Sequence, residues 1–202
     1  MNDIGGIRTA LFVPGNRPER VDKAVQSAAD SVIIDLEDAV PLAEKAQART
    51  RVREKIQEHA GRVLMVRVNA LDTALSSLDL AEILVSGLDA VMLPKVQRPE
   101  DVQRMHSLLM EHETAKGVPV GSAALVSLLE SALAVENAFR IASENMSPPR
   151  PHRLAFGAAD FTVDMGVMMS KTGTDETLAA AVEAAGNPFE RTGKKPCRWI
   201  KA

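Results

Sequence analysis

Six short apolar runs recur along the 202-residue chain: TALFVPG (9–15), SVIIDLED (31–38), VLMVRVN (63–69), AVMLPKV (90–96), AALVSLLES (123–131) and RLAFGAAD (153–160). They are near-continuous rather than alternating, the pattern of strands buried on both faces in a parallel sheet. Helical stripes lie between them. Val21, Ala24, Val25 and Ala28 follow the i, i+3, i+4, i+7 spacing, and Val52 and Ile56 form a similar stripe after Pro41. Pro99 suits the first turn of a further helix, with Glu100 and Asp101 near its positive end. Strand then helix, repeated every ~25–30 residues, predicts an α/β fold of the TIM-type (β/α)8 barrel class, although a doubly wound sheet shares the same local grammar.

Polar residues separate the two architectures. Asn16 and Arg17, Asp35 to Asp38, Arg67 and Asn69, Lys95, Glu130 and Asp160 stand where the runs end. Barrel enzymes gather their chemistry at the C-terminal ends of several strands. A dinucleotide fold needs a three-glycine turn after its first strand, and Pro14-Gly15-Asn16 lacks that spacing. Six strands are legible where a barrel has eight, so the barrel is expected to be truncated after about six βα units. The expected division is a barrel domain over 1–170 and a divergent segment over 171–202, comprising an alanine-rich helix stopped by Gly186 and a basic tail. That tail reads as solvated, with a phosphate-binding arm as the lesser alternative.

With 46% hydrophobic and 25% charged residues, the chain can bury a core, and a formal charge of −3 argues against nucleic acid as its partner. No apolar run approaches the ~20 residues that span a bilayer, and the N-terminus does not read as a secretory signal. The one cysteine, Cys197, fits a reducing cytoplasm.

The strand-end residues suggest chemistry, with alternatives. Asp35, Glu37 and Asp38 crowd three carboxylates together, which favours a nearby cation; an acidic helix start is the plainer reading. Arg67, a guanidinium in an apolar strand, suits either a substrate carboxylate or a structural ion pair with those acids. Glu130 and Asp160, from adjacent strands, would form an oxygen-rich pocket suited to Mg2+, with Asp164 a rival for Asp160. The four histidines, read as lying in helices or loops, lack metal-ligand spacing. Ser127 and Ser131 lack the context of a hydrolase elbow, and the nine methionines read as core filling.

ALFVPGNRPER, IIDLEDAVPLAEKAQAR, VRVNALDT, DAVMLPKV, LLESALAV and AFGAADFTVDMG, in that order over roughly 8–170, resemble the citrate lyase β-subunit-like branch of the HpcH/HpaI aldolase family. The resemblance implies a barrel forming a homo-oligomer (trimer or hexamer). It also implies Mg2+-dependent cleavage or formation of C–C bonds in 3-hydroxy acyl thioesters such as citryl-, malyl- or citramalyl-CoA, with CoA or an acyl-carrier thioester as partner. By motif, Arg67 resembles the substrate-carboxylate binder, Glu130 a metal ligand that also approaches substrate, and Asp160 the second metal ligand. Glu37 and Asp38 look like acids that orient metal-bound water. The reaction so implied also needs a base for the substrate hydroxyl, directly or through a metal-bound water, and Asp38 is the candidate. Pro14, Gly15 and Asn16 lie near the expected thioester arm. The text after Gly166 departs from the family pattern, which leaves a catalytically impaired remnant or accessory subunit as the alternative. A pyruvate-class metal-dependent aldolase is the other, although DLED stands here where that class usually has DGEH.

Overall fold

The computed structural model describes residues 4–166. After a 3-10 turn at Ile4–Gly6, the chain runs β1 (Ala10–Pro14), α1 (Pro18–Val25), β2 (Ser31–Asp35), α2 (Lys45–Glu58), β3 (Leu64–Arg67), α3 (Leu75–Ile83), β4 (Ala90–Leu93), α4 (Pro99–Lys116), β5 (Ala124–Leu129), α5 (Ala132–Glu136), α6 (Ala138–Ser143), β6 (His152–Phe156) and α7 (Ala158–Asp164). All six strands are parallel and their order in the sheet is β1-β2-β3-β4-β5-β6. A doubly wound sheet reverses direction at a switch point; this one never does, and sequential winding is the βα-barrel pattern.

Each strand divides its residues between two apolar layers, because side chains alternate across a strand. Val32, Ile34, Leu64, Val66, Val91, Leu125, Leu129 and Leu154 face the helices, where they meet Val21, Ala48, Val52, Ile56, Leu80, Ile83, Val102 and Leu109. Ala10, Ile33, Met65, Ala90, Met92, Ala124, Val126, Leu128 and Ala155 form the opposite layer with Ile4 and Ile7. The near-continuous apolar runs thus serve two cores at once.

Local chemistry sets the helix limits. Pro99 opens α4, Asp101 Oδ2 accepts from the Gln97 and Arg98 amides at 2.9 and 3.0 Å, and Gly117 closes the helix at φ 67°. Helix α1 stops at Val25, short of the expected stripe end at Ala28: the Ser27 hydroxyl donates to the Ala24 carbonyl at 2.6 Å, taking up an acceptor the next turn needs. His152 also departs from expectation. It lies in β6, buried, with Nε2 2.9 Å from Ser127 Oγ, because a hydroxyl partner satisfies the ring nitrogen that burial takes out of water.

The end of the sheet where the strands begin is fastened by a buried ion pair. Arg150 donates through Nη1 and Nη2 to both oxygens of Glu113, at 2.8 and 2.7 Å, and also to the Ala123 carbonyl. Glu113 further accepts from the Gly121 and Ala123 amides. This network ties α4 to the entries of β5 and β6 and leaves the opposite end for chemistry.

Candidate functional site

The site follows from strand alternation. Ile33 and Met65 lie in the layer away from the helices, so Asp35 and Arg67, two residues on, continue that face at the strand ends. Ala124, Val126 and Leu128 are followed in the same way by Glu130. The register then brings Asp35 directly beside Arg67.

Arg67 is the hub of an acidic cluster. Nε and Nη2 donate to Asp35 Oδ1 and Oδ2 at 2.8 and 2.6 Å, a two-bond fork. Nη1 lies 3.2 Å from Glu37 Oε2 and 3.6 Å from Asp38 Oδ2, and the guanidinium carbon stands 5.4 Å from the Phe12 ring centroid. Burial lowers its proton affinity, but the hydrogen bond and charge of Asp35 outweigh that and raise it. Asp35 also accepts from the Glu37 and Ala39 amides, at 2.9 and 3.1 Å, and so shapes the loop that carries Glu37 and Asp38. The acidic run is therefore no helix start: α2 begins at Lys45, whose buried ammonium donates to the Leu36 and Glu37 carbonyls at 2.7 and 2.8 Å.

Glu130 is buried directly after β5. Its Oε1 accepts from the Lys95 backbone amide at 2.7 Å. On its other side lies Gly157, where a Cβ would meet Glu130 Cβ at 2.8 Å and Oε2 at 2.9 Å. Burial pushes the Glu130 carboxyl up to about 7; the Lys95 amide opposes this, while Asp160 and Glu37 add to it. Glu37 is also raised, by burial first, although Arg67 and the Lys95 ammonium (Nζ to Oε1, 3.1 Å) counter it. Burial is the main cause at both groups, and at Glu130 the charges of Asp160 and Glu37 add to it, so a buried carboxylate with further acids around it is a donor set that fits a hard divalent cation.

Asp160 lies exposed in the first turn of helix α7, not at the end of β6, because the chain turns at Gly157. Its rival Asp164 is already engaged, accepting from the Ala132 amide at 2.7 Å. Among the described residues, the cluster of three or more possible ligand atoms within 4.8 Å of one another is Asp22, Glu58 and His59. The Lys55 ammonium already serves its acids, at 2.7 Å from both Asp22 and Glu58, so that cluster has its cation.

At the first strand end, Gly15 donates to the Asp35 carbonyl at 2.8 Å, and a Cβ there would meet that oxygen at 2.9 Å. Close packing thus accounts for this glycine. Asn16 is buried, donating from Nδ2 to Glu44 at 2.7 Å, with Oδ1 left without a hydrogen-bond partner. Asp38 is 58% exposed, at the mouth. Sequence reasoning missed the Lys95 amide, Lys45 and Asp79. Asp79 is fully buried and accepts from the Asn69 amide, Asn69 Nδ2 and Arg49 Nε at 2.7–2.8 Å, which makes Asn69 a structural residue of the β3 end. An acid set between two leucines, Leu78-Asp79-Leu80 in LSSLDLAEI, was the available signal.

The family model "HpcH/HpaI aldolase/citrate lyase" matches residues 8–189. The chain is 41% identical over 167 residues to citrate lyase subunit beta of Leuconostoc mesenteroides subsp. cremoris, covering 82% of this chain and 54% of that protein. It is 37% identical over 175 residues to the L-malyl-CoA/beta-methylmalyl-CoA lyase of Rhodobacter capsulatus, covering 84% and 53%. The chain thus spans about half the length of these curated relatives. Among solved structures, the citrate lyase beta subunit of M. tuberculosis complexed with oxaloacetate and magnesium superposes with a TM-score of 0.73 at 28% identity, covering 96% of this chain and 79% of that one. Protein CitE from Mycobacterium tuberculosis in complex with magnesium, acetoacetate and coenzyme A gives 0.72 at 26%, covering 97% and 67%.

Proposed function

Since this chain belongs to the HpcH/HpaI aldolase/citrate lyase family, we propose that it is a Mg2+-dependent carbon–carbon lyase acting on 3-hydroxy acyl thioesters. The observation that carries this reading is the convergence of Arg67, Glu130 and Asp160 at one end of the sheet, with Glu130 pushed up to about 7 inside it. The magnesium, oxaloacetate and coenzyme A of the related structures support the ligand classes.

Glu130 and Asp160 would hold the Mg2+, which when bound supplies a Lewis acid that polarises the substrate's reacting oxygen. The chain's own residues do the rest. Arg67, held edge-on by Asp35, offers its remaining N–H groups to the substrate carboxylate, which displaces the longer contacts to Glu37 and Asp38. Asp38, exposed at the mouth, takes the hydroxyl proton. The carbinol carbon becomes a carbonyl, the C–C bond breaks, and its electron pair passes to the thioester as an enolate. Protonation of that enolate at carbon yields the acetyl thioester beside the released α-keto acid. Pro14, Gly15 and Asn16 border the thioester arm.

The barrel region over 1–170 carries this site, and the segment over 171–202, with its expected helix and basic tail, lies outside the described residues. The reading places the protein in the cytoplasm as a homo-oligomer, trimer or hexamer; its one cysteine accords with a reducing compartment. No helix among the described residues is long and apolar enough to cross a membrane.

The test incubates the purified chain with citryl-, malyl- and citramalyl-CoA, with Mg2+ or with EDTA, and follows the keto acid released. Turnover of one thioester that EDTA abolishes is expected. No turnover of any of the three, or turnover indifferent to Glu130→Ala, contradicts the proposal.

A further inference from the structure

Lys95 was read from the sequence only as one more polar residue at a strand end, yet its geometry is unusual. Among the described residues it is the one non-glycine residue at positive φ, 55°. Side chains rarely adopt this backbone, and such residues persist where the surroundings hold them in place. Pro94, buried, and Val96, buried, bracket it at the end of β4.

The conformation has a specific consequence. At ordinary helical φ a residue's side chain and its own N–H point the same way. At positive φ the side chain swings well away from the N–H, so one residue can address two separate groups. Lys95 does so: its amide donates to Glu130 Oε1 at 2.7 Å, and its ammonium lies 3.1 Å from Glu37 Oε1. The two acids belong to different strand ends, β5 and β2. With Gly157 packed against Glu130 Cβ and Oε2, the carboxylate is fixed from both sides.

We propose that Lys95 is a positioning residue whose left-handed backbone locks Glu130 in the orientation that receives the divalent cation, while its ammonium holds Glu37 aside. The inference rests on Glu130 being a metal ligand, as the proposed function has it. Outer groups that orient a ligand carboxylate typically govern metal affinity by about 10–100-fold.

Two substitutions separate backbone from charge, since both remove the ammonium. Asn tolerates the left-handed region; Val does not. Mg2+ binding to the full chain, measured by titration calorimetry without substrate, is the readout, with thermal melts alongside. Lys95→Asn is expected to keep Mg2+ affinity within about threefold, and Lys95→Val to weaken it by about tenfold or more. If Lys95→Val fails to fold, Lys95→Ala takes its place with a smaller loss in the same direction. Equal affinities for the Asn variant and the Val or Ala variant, with Glu130→Ala abolishing binding, overturn the inference and leave the metal site standing. Mg2+ binding that survives Glu130→Ala, or is absent from the unaltered chain, instead overturns the metal site and this inference with it.

Discussion

Asp35 and Arg67 are register partners on β2 and β3, and the guanidinium closes on both oxygens of the carboxylate at 2.8 and 2.6 Å. The pairing orients Arg67 before any ligand arrives. It also means that the arginine is structural and, in the proposed function, substrate-binding at once.

A lysine at position 67 keeps the charge but cannot form two parallel bonds. Losing one charge-assisted hydrogen bond costs about 1.5–3 kcal/mol, so Arg67→Lys is expected to lower kcat/KM roughly 10–100-fold. Steady-state kinetics with the preferred thioester checks this, and the loss should fall mainly on KM.

Gly157 leaves no room for a methyl group, because the nearest atom is Glu130 Cβ, close to the backbone and unable to swing aside. Gly157→Ala is expected to destabilise the fold by about 1–3 kcal/mol, as overpacking does, and to weaken Mg2+ binding through displacement of Glu130. Urea unfolding and metal titration read the two effects separately.

The Glu113–Arg150 pair is fully buried on both sides. Glu113→Ala leaves an uncompensated guanidinium and is expected to cost about 3–5 kcal/mol, measured by urea unfolding. Burial alone would raise the Glu113 carboxyl, but its bonds from Arg150 and the Gly121 amide hold it below the ordinary range. A lowered folded pKa gives stability that is present above the unfolded value and lost as pH falls through the folded one. Acid unfolding below about pH 4 should therefore lose a component in Glu113→Gln.

Glu130 titrates with the opposite sign. Its folded pKa, near 7, exceeds that of an unfolded glutamate. Its contribution to the metal-free protein is thus complete below the unfolded value and is lost as pH rises through about 7. The metal-free Tm is expected to fall from about pH 5 to about pH 7 and to level off above that, and Glu130→Gln to flatten the slope. Mg2+ affinity should run the other way, weakening as pH drops below about 7, since the ligand must be ionised.

The fold was largely legible because strands buried on both faces leave an unmistakable apolar signature, and all six runs became strands in parallel order. The polar strand ends were legible for the same reason: Arg67 and Glu130 interrupt apolar text. What stayed hidden depends on backbone rather than side-chain type. No pattern marks Lys95 as left-handed, shows that its amide serves Glu130, or places Asp160 on α7 instead of a strand end. Asp35 was read with its acidic neighbours, whereas the register gives it to Arg67 and to the amides of its own loop.

The central claim, that Glu130 and Asp160 carry the metal on which C–C cleavage depends, is tested most directly by comparing three proteins. These are the full chain, Glu130→Gln and Asp160→Asn, each assayed for Mg2+ binding and for thioester cleavage at saturating Mg2+. Loss of both properties in each variant, with the fold retained by circular dichroism, is the predicted result. Cleavage that persists in either variant at the full chain's rate would contradict the account.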